Sequence, residues 1–106
     1  MELENLRLKI LKALSDETRL KLIEILRHGN EICVCDIEKM FIQTQSTLSR
    51  HLKTLTEADI IESRREGNKK LFRIKDTQIF KLLALLDSLI KRNEKFKKIV
   101  DIQLKI

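Results

Sequence analysis

Apolar residues recur at the helical period through most of this chain, and the most informative example is Thr44–Asp59, TQSTLSRHLKTLTEAD. Leu48, Leu52 and Leu55 fall at i, i+4 and i+7, a single apolar stripe. Ser46, Ser49, Arg50 and Lys53 occupy the opposite side, short hydroxyls first and long cations later, with Gln45 and Thr47 beside them in the first turn. Such a face suits a DNA major groove, because small polar groups near a helix N-terminus approach base edges while cations meet phosphates. A polar outer face is also the ordinary state of a surface helix, so the neighbouring segments must decide.

Upstream, Leu3, Leu6, Ile10 and Leu14 share one face of a first helix over residues 3–14. Ser15 or Asp16 then caps a second helix carrying Leu20, Ile23 and Leu26, which stops at His28 and Gly29. His28 is read as a C-terminal capping residue and not as a metal ligand, since no second ligand is spaced to join it. A short third helix is predicted over about Cys35–Phe41, with Ile42-Gln43 as a tight connection into the Thr44–Asp59 helix. That pairing is a helix-turn-helix pattern, although its turn lacks the usual glycine. Downstream the period changes to two: Ile61, Ser63 and Arg65 alternate with Glu62 and Arg64, and after Gly67-Asn68 the residues Leu71 and Arg73 alternate with Phe72 and Ile74. This is a β-hairpin over residues 60–75, with Arg64, Arg65, Lys69 and Lys70 around its tip. A basic hairpin directly after a recognition-type helix reads as a wing that meets the phosphate backbone or minor groove. The last predicted helix, about Thr77–Val100, places Leu82, Leu86, Leu89, Asn93, Phe96 and Val100 at heptad spacing, an a/d seam in which Asn93 would fix register. Together with Leu6 and Ile10 of the first helix, this seam predicts a homodimer.

Length and charge sharpen the picture. The 106 residues suit one domain spanning residues 1–106, with a core of Leu and Ile, since there is no Trp or Tyr and only 4 Phe. The net charge of +6 is uneven: residues 1–40 hold 7 basic against 8 acidic side chains, residues 41–75 hold 8 against 4, and residues 76–106 hold 7 against 4. The surplus begins at the candidate recognition helix, as a polyanion-binding surface requires. No apolar run approaches the roughly 18 residues of a membrane span and no signal-peptide core opens the chain, so a cytoplasmic location without membrane partners is expected.

The only two cysteines, Cys33 and Cys35, lie in Cys33-Val34-Cys35-Asp36, where a capping box would begin the third helix. A thiol in the place of Ser or Thr breaks a local rule, and the positive end of a helix favours the thiolate that binds soft metals. The alternatives are two small buried hydrophobes or a redox pair, for which a direct disulfide requires departure from regular helix because i and i+2 side chains diverge by about 200°. A thiol enzyme is disfavoured: His51 lies 16 residues from Cys35 on another predicted helix, without oxyanion donors or a Gly-rich loop.

With ALSDETRLKLIEIL, EICVCDI, QSTLSRHLKTLTEADII and SRREGNKKLFRI, the sequence resembles the ArsR/SmtB family of metal-responsive winged-helix repressors, at motif level over about residues 10–75. The resemblance implies a mainly α winged helix-turn-helix fold with about five helices. It implies a homodimer, formed through the first and last helices, on pseudo-palindromic double-stranded operator DNA. It further implies release by a thiophilic ion such as As(III), Sb(III), Cd(II) or Pb(II) bound at Cys33 and Cys35, and no cofactor needed for DNA binding. The family's usual third arsenic-binding cysteine is Glu38 here, and its zinc site on the last helix retains Asp76 but has Gln78, Leu89 and Arg92 at the remaining positions. A regulator answering to thiol oxidation, or to nothing at its cysteines, is the alternative.

Overall fold

The computed structural model describes residues 2–104, which divide into two compact units, one up to Asp76 and one from Thr77. The first contains α1 (Glu2–Leu14), α2 (Glu17–Ile25), β1 (Ile32–Cys33), α3 (Val34–Glu38), α4 (Gln45–Glu57), β2 (Ile61–Glu66) and β3 (Lys69–Ile74). The three strands form one antiparallel sheet in the order β1-β3-β2. Its core is aliphatic apart from Phe72 and Cys33: Leu22, Ile23 and Leu26 after α1, Ile37 of α3, and the predicted stripe Leu48, Leu52 and Leu55 of α4, all at most 2% exposed, close on Ile61 and Phe72 of the sheet. Each of those three leucines contributes about 1.5–3 kcal/mol by burial, and together they fix which side of α4 faces outward.

Local chemistry sets the element ends. Asp16 is the N-cap of α2, its carboxylate accepting the Arg19 backbone N–H at 3.0 Å. Thr44 caps α4 by accepting the Thr47 N–H at 3.3 Å. At the other end of α4 the N–H groups of Ile60 and Asp59 donate to the carbonyls of Leu55 and Thr56 at 3.1 and 3.0 Å, a Schellman arrangement with buried Ile60 folded back on Leu55. Its left-handed position is held by Asp59 at φ +60°, where glycine is the usual choice. In the hairpin only Gly67 of the Gly67-Asn68 turn has positive φ, as a type II′ turn demands.

Three predicted boundaries are corrected. The third helix is shorter than expected and the connection to α4 longer, running from Lys39 to Thr44. That length removes the need for a glycine, and the Gln43 side chain fastens the turn by donating to the Thr18 hydroxyl at 2.8 Å. Ile32–Cys33 forms a third strand, unforeseen because two residues show no period of their own. The long last helix is two: the second unit comprises α5 (Gln78–Arg92) and α6 (Glu94–Leu104), separated by Asn93 in an extended conformation. The Asn93 amide oxygen accepts the Phe96 N–H at 3.1 Å and starts α6 as an N-cap. Asn93 is therefore a helix punctuation mark rather than a register-setting residue of a continuous seam, and the seam ends at Leu89. The two helices flank a cleft of about 410 Å³ lined by Asp87, Ile90, Lys91, Lys97, Val100 and Leu104, among others. No described helix is long and apolar enough to cross a membrane.

Replacing Asp59 by glycine removes the strain of a side chain at positive φ, and it sacrifices only the exposed Lys75–Asp59 ion pair at 3.0 Å. Urea denaturation of Asp59→Gly is expected to show a gain of about 0.5–1 kcal/mol, with the slope of the transition unchanged.

Candidate nucleic-acid interface

The outer surface of α4 is built in parallel rows four residues apart. Gln45, Ser49 and Lys53 form one row, which with Lys70 and Phe72 of β3 and Val34 lines a groove of about 440 Å³ between helix and wing. Four sequence-predicted DNA contacts, Gln45, Ser49, Lys53 and Lys70, thus share one depression. Ser46 and Arg50 occupy the adjacent row and are exposed, while Thr47 is half-buried. The hydroxyls of Ser46 and Thr47 lie 3.2 and 3.0 Å from the Thr44 hydroxyl, so the first turn is ordered by its own polar groups.

Strand alternation sorts the wing cations onto two faces. Ile61, Ser63 and Arg65 oppose Ile74, Phe72 and Lys70, and this face leads from the core to the groove. The Lys70 Nζ lies over the Phe72 ring, 5.3 Å from its centroid, a cation–π contact that steadies the ammonium group. Arg65, Lys69 and Lys70 are exposed and form no ion pair among the described residues. Arg64 differs from this expectation. It lies on the other face, where its Nε and Nη2 donate to both carboxylate oxygens of Glu31 at 2.7 and 2.8 Å, and Nη2 also reaches Glu66 at 3.3 Å. The hydrogen bonds from Arg64 hold the Glu31 carboxyl below its ordinary range and correspondingly raise the guanidinium's own value. On the same face Arg73 pairs with Glu62 at 3.1 Å.

His51 lies on α4 among its polar residues, but its imidazole turns inward, towards α2. Its Nδ1 accepts from Arg19 Nη1 at 3.0 Å and lies 3.8 Å from the Asp16 carboxylate. Arg19 also donates to the carbonyls of Ala13 and Lys12 at 2.7 and 3.0 Å, so one guanidinium joins the end of α1, the start of α2 and the middle of α4. Arg19 was missed in the sequence, although a cation in the first turn of a helix, where the dipole disfavours it, was the available signal.

Cys33 is the N-cap of α3, its sulfur accepting the Cys35 N–H at 3.2 Å, as the capping-box position predicts. Its backbone is extended, at φ −65° and ψ 140°, and it ends β1 instead of lying on a helix. The divergence expected on a regular helix therefore does not apply: Cys33 and Cys35 are joined by a disulfide across a Cα–Cα distance of 5.2 Å. Cys33 is buried and Cys35 exposed. Among the described residues of one chain no group of three or more His, Cys, Asp or Glu side chains is placed to hold a metal ion, and Glu38 does not complete such a group with the two sulfurs. Reduced, the pair supplies two of the three or four donors a soft ion takes.

A helix-turn-helix with a basic hairpin beside its second helix defines a winged-helix DNA-binding protein. Residues 16–63 match the family model described as bacterial regulatory protein, arsR family. The arsenical resistance operon repressor of Staphylococcus aureus is 37% identical over 82 residues, covering 77% of this chain and 71% of that protein. The cadmium resistance transcriptional regulatory protein CadC of Listeria innocua is 38% identical over 74 residues, covering 70% of this chain and 62% of that relative's length. Among solved structures, the homodimeric winged helix-turn-helix DNA-binding domain of a possible ArsR-family transcriptional regulator from Mycobacterium bovis aligns with a TM-score of 0.74 at 26% identity, covering 88% of this chain and 89% of that one. This chain belongs to the arsR family of transcriptional regulators. The family's members act by binding DNA and not as enzymes, which disposes of the thiol-enzyme alternative.

The Asp16 carboxyl is held below its ordinary 3.8, first by the Arg19 backbone N–H and then, against partial desolvation, by the positive charge of the Arg19 guanidinium. A depressed carboxyl contributes stability that is present above its unfolded value and disappears as pH falls through the folded one. Asp16→Ala is expected to lose about 1 kcal/mol of stability at neutral pH. In urea melts across pH, that deficit is expected to persist down to about 4 and to shrink below it.

Proposed function

We propose that this protein is a homodimeric repressor that binds a two-fold operator and is released when a thiophilic metal or metalloid ion binds Cys33 and Cys35. The observation that carries the sensing part is the placement of the two sulfurs. One ends a strand paired to the wing, with Cys33 opposite Leu71 of β3, and the other lies in the first turn of the helix preceding α4. Side chains close enough to bridge are close enough to chelate one ion once reduced. As(III), Sb(III), Cd(II) and Pb(II) fit the softness of the pair, with further donors from solvent, a small thiol or the second subunit. An ion seated there pulls on the α3 cap and on the wing sheet together, the two supports of the DNA-facing groove. The names of the arsenical and cadmium relatives favour the same chemistry.

The DNA contacts in this reading are Gln45, Ser46, Thr47, Ser49, Arg50 and Lys53 on α4 and Arg65, Lys69 and Lys70 on the wing. Dimerisation rests on faces that each unit leaves open: Leu6 and Ile10 are 57% and 37% exposed on α1, and Leu86 and Leu89 are 46% and 63% exposed on α5, with Leu82 half-buried beside them. A second copy covers such stripes, as in the homodimeric Mycobacterium bovis domain. Dimer half-sites then lie about 34–36 Å apart on the duplex. The protein works in the cytoplasm, where the thiols stay reduced. A second reading, release by oxidation, is favoured by the disulfide itself, since Cys33 and Cys35 are within bonding reach at the junction of β1 and α3.

Fluorescence anisotropy on the duplex upstream of the protein's own gene separates these readings when the reduced protein is titrated with As(III), Sb(III), Cd(II), Pb(II), Zn(II) and a mild oxidant. Release by a soft ion, lost in both Cys33→Ser and Cys35→Ser, is the expected result. Release by oxidant alone selects the redox reading, and release surviving both substitutions removes the cysteines from the mechanism. In the same assay Arg50→Ala is expected to cost about 1–3 kcal/mol on the preferred sequence and to relax base preference, whereas Lys69→Ala lowers the salt slope by about one on every sequence.

A further inference from the structure

The wing carries an arginine that it does not present to solvent as a free cation, and the carboxylate that holds it comes from outside the hairpin. The register places Arg64 opposite Leu71 and Leu71 opposite Cys33, and Glu31 precedes β1 by one residue on the same face as Cys33. From there Glu31 meets the guanidinium fork with both oxygens at 2.7 and 2.8 Å, and Glu66 adds a third contact at 3.3 Å. Arg73 beside it is matched by Glu62, and the four side chains, with Ser63, surround a hollow of about 150 Å³. Arg64 and Arg73 on this face are thus matched by carboxylates, while Arg65 and Lys70 on the opposite face, and Lys69 at the tip, form no ion pair among the described residues.

A carboxylate and a phosphate offer a guanidinium the same pair of oxygens at the same spacing. We infer that Glu31 is an internal competitor of DNA phosphate for Arg64: it withholds one phosphate contact from the wing and sets the protein's affinity for duplex below what its basic side chains would otherwise give. Glu31 acts through Arg64 and does not touch DNA. The pair is half open to water, with side-chain exposures of 54% for Arg64 and 29% for Glu31, so the fork can exchange partners without rearranging the core. Because Glu31 directly precedes the strand that ends at Cys33, this restraint adjoins the cysteine pair. The inference itself rests only on the wing meeting DNA.

Phosphate contacts are independent of sequence, so a random 30-base-pair duplex serves as the probe, with anisotropy read between about 50 and 200 mM salt. Each added phosphate contact steepens the plot of log affinity against log salt by about 0.9, a difference of roughly 3.5-fold over that range. Glu31→Gln is expected to bind several-fold tighter at the low end with a slope steeper by about that amount. Glu31→Asp, which keeps the charge but shortens the side chain, gives part of the gain. Arg64→Gln alone stays within about twofold of wild type with its slope unchanged, and in the Glu31→Gln, Arg64→Gln double variant the gain vanishes. Three results overturn the inference: no gain in Glu31→Gln, a gain that survives in the double variant, or a slope already flattened in Arg64→Gln. The second would mean that removal of any negative charge suffices, and the third that Arg64 already sits on phosphate. Failure of the wild-type protein to bind duplex at low salt overturns the DNA-binding reading as well, and so is distinguishable from the other three.

Discussion

Everything the protein offers to DNA depends on one burial: the Leu48, Leu52 and Leu55 stripe, at most 2% exposed. A helix offers bases a fixed row of side chains only if its rotation about its own axis is fixed, and close-packed leucines do that because turning the helix would open cavities costing several kcal/mol. Polar interactions complete the anchoring at points the leucines do not cover. Thr44 closes the start of α4, the Schellman turn closes its end, and Arg19 reaches His51 near its middle. The helix is thereby closed at both ends and tied near its middle, and its polar face is left for function.

The wing solves a different problem. A two-stranded hairpin is marginal alone in water, and here it is secured by Phe72 and Ile61 in the core on one face and by a third short strand at its edge. That third strand is only two residues long, yet it covers the edge of β3 and brings Glu31 and Cys33 against the wing. Alternation then separates the cations into groups with different freedom. Lys70, on the core-facing side, continues into the groove beside α4; Arg64 and Arg73, on the other, are neutralised by Glu31 and Glu62. Counting the basic residues of the hairpin therefore overstates the charge it presents to a phosphate.

The cysteine pair belongs to both structures at once, since the residue that caps α3 is also the last residue of β1. A chemical event at Cys33, whether ligation or oxidation, acts at the junction of the helix-turn-helix and the wing. At this junction the backbone passes directly from extended strand to helix, which is why two residues that would diverge on a helix come within bonding reach.

Much of this was legible in the sequence because it follows from local periods. The leucine stripe of α4, the change from period 3.6 to period 2 at Ile61, the Gly67-Asn68 turn and the cap at Asp16 each declare themselves within a few residues, and together they fixed the winged helix-turn-helix. The cap at Asn93 was equally local, but the heptad spacing across it pointed to a continuous helix, and the amide's bond to Phe96 outweighed that pattern. What tertiary structure alone decided are the partners across long separations: Arg64 with Glu31, 33 residues apart, Arg19 with His51, 32 apart, and Gln43 with Thr18, 25 apart. An arginine reads as free cation until the chain is folded, because its charge is a property of the residue whereas its partner is a property of the topology. Sequence by itself determined which face of α4 is buried, which is left polar, and where the wing begins. The fold decided which of its cations are free to meet a phosphate, because only strand pairing brings Glu31 alongside Arg64.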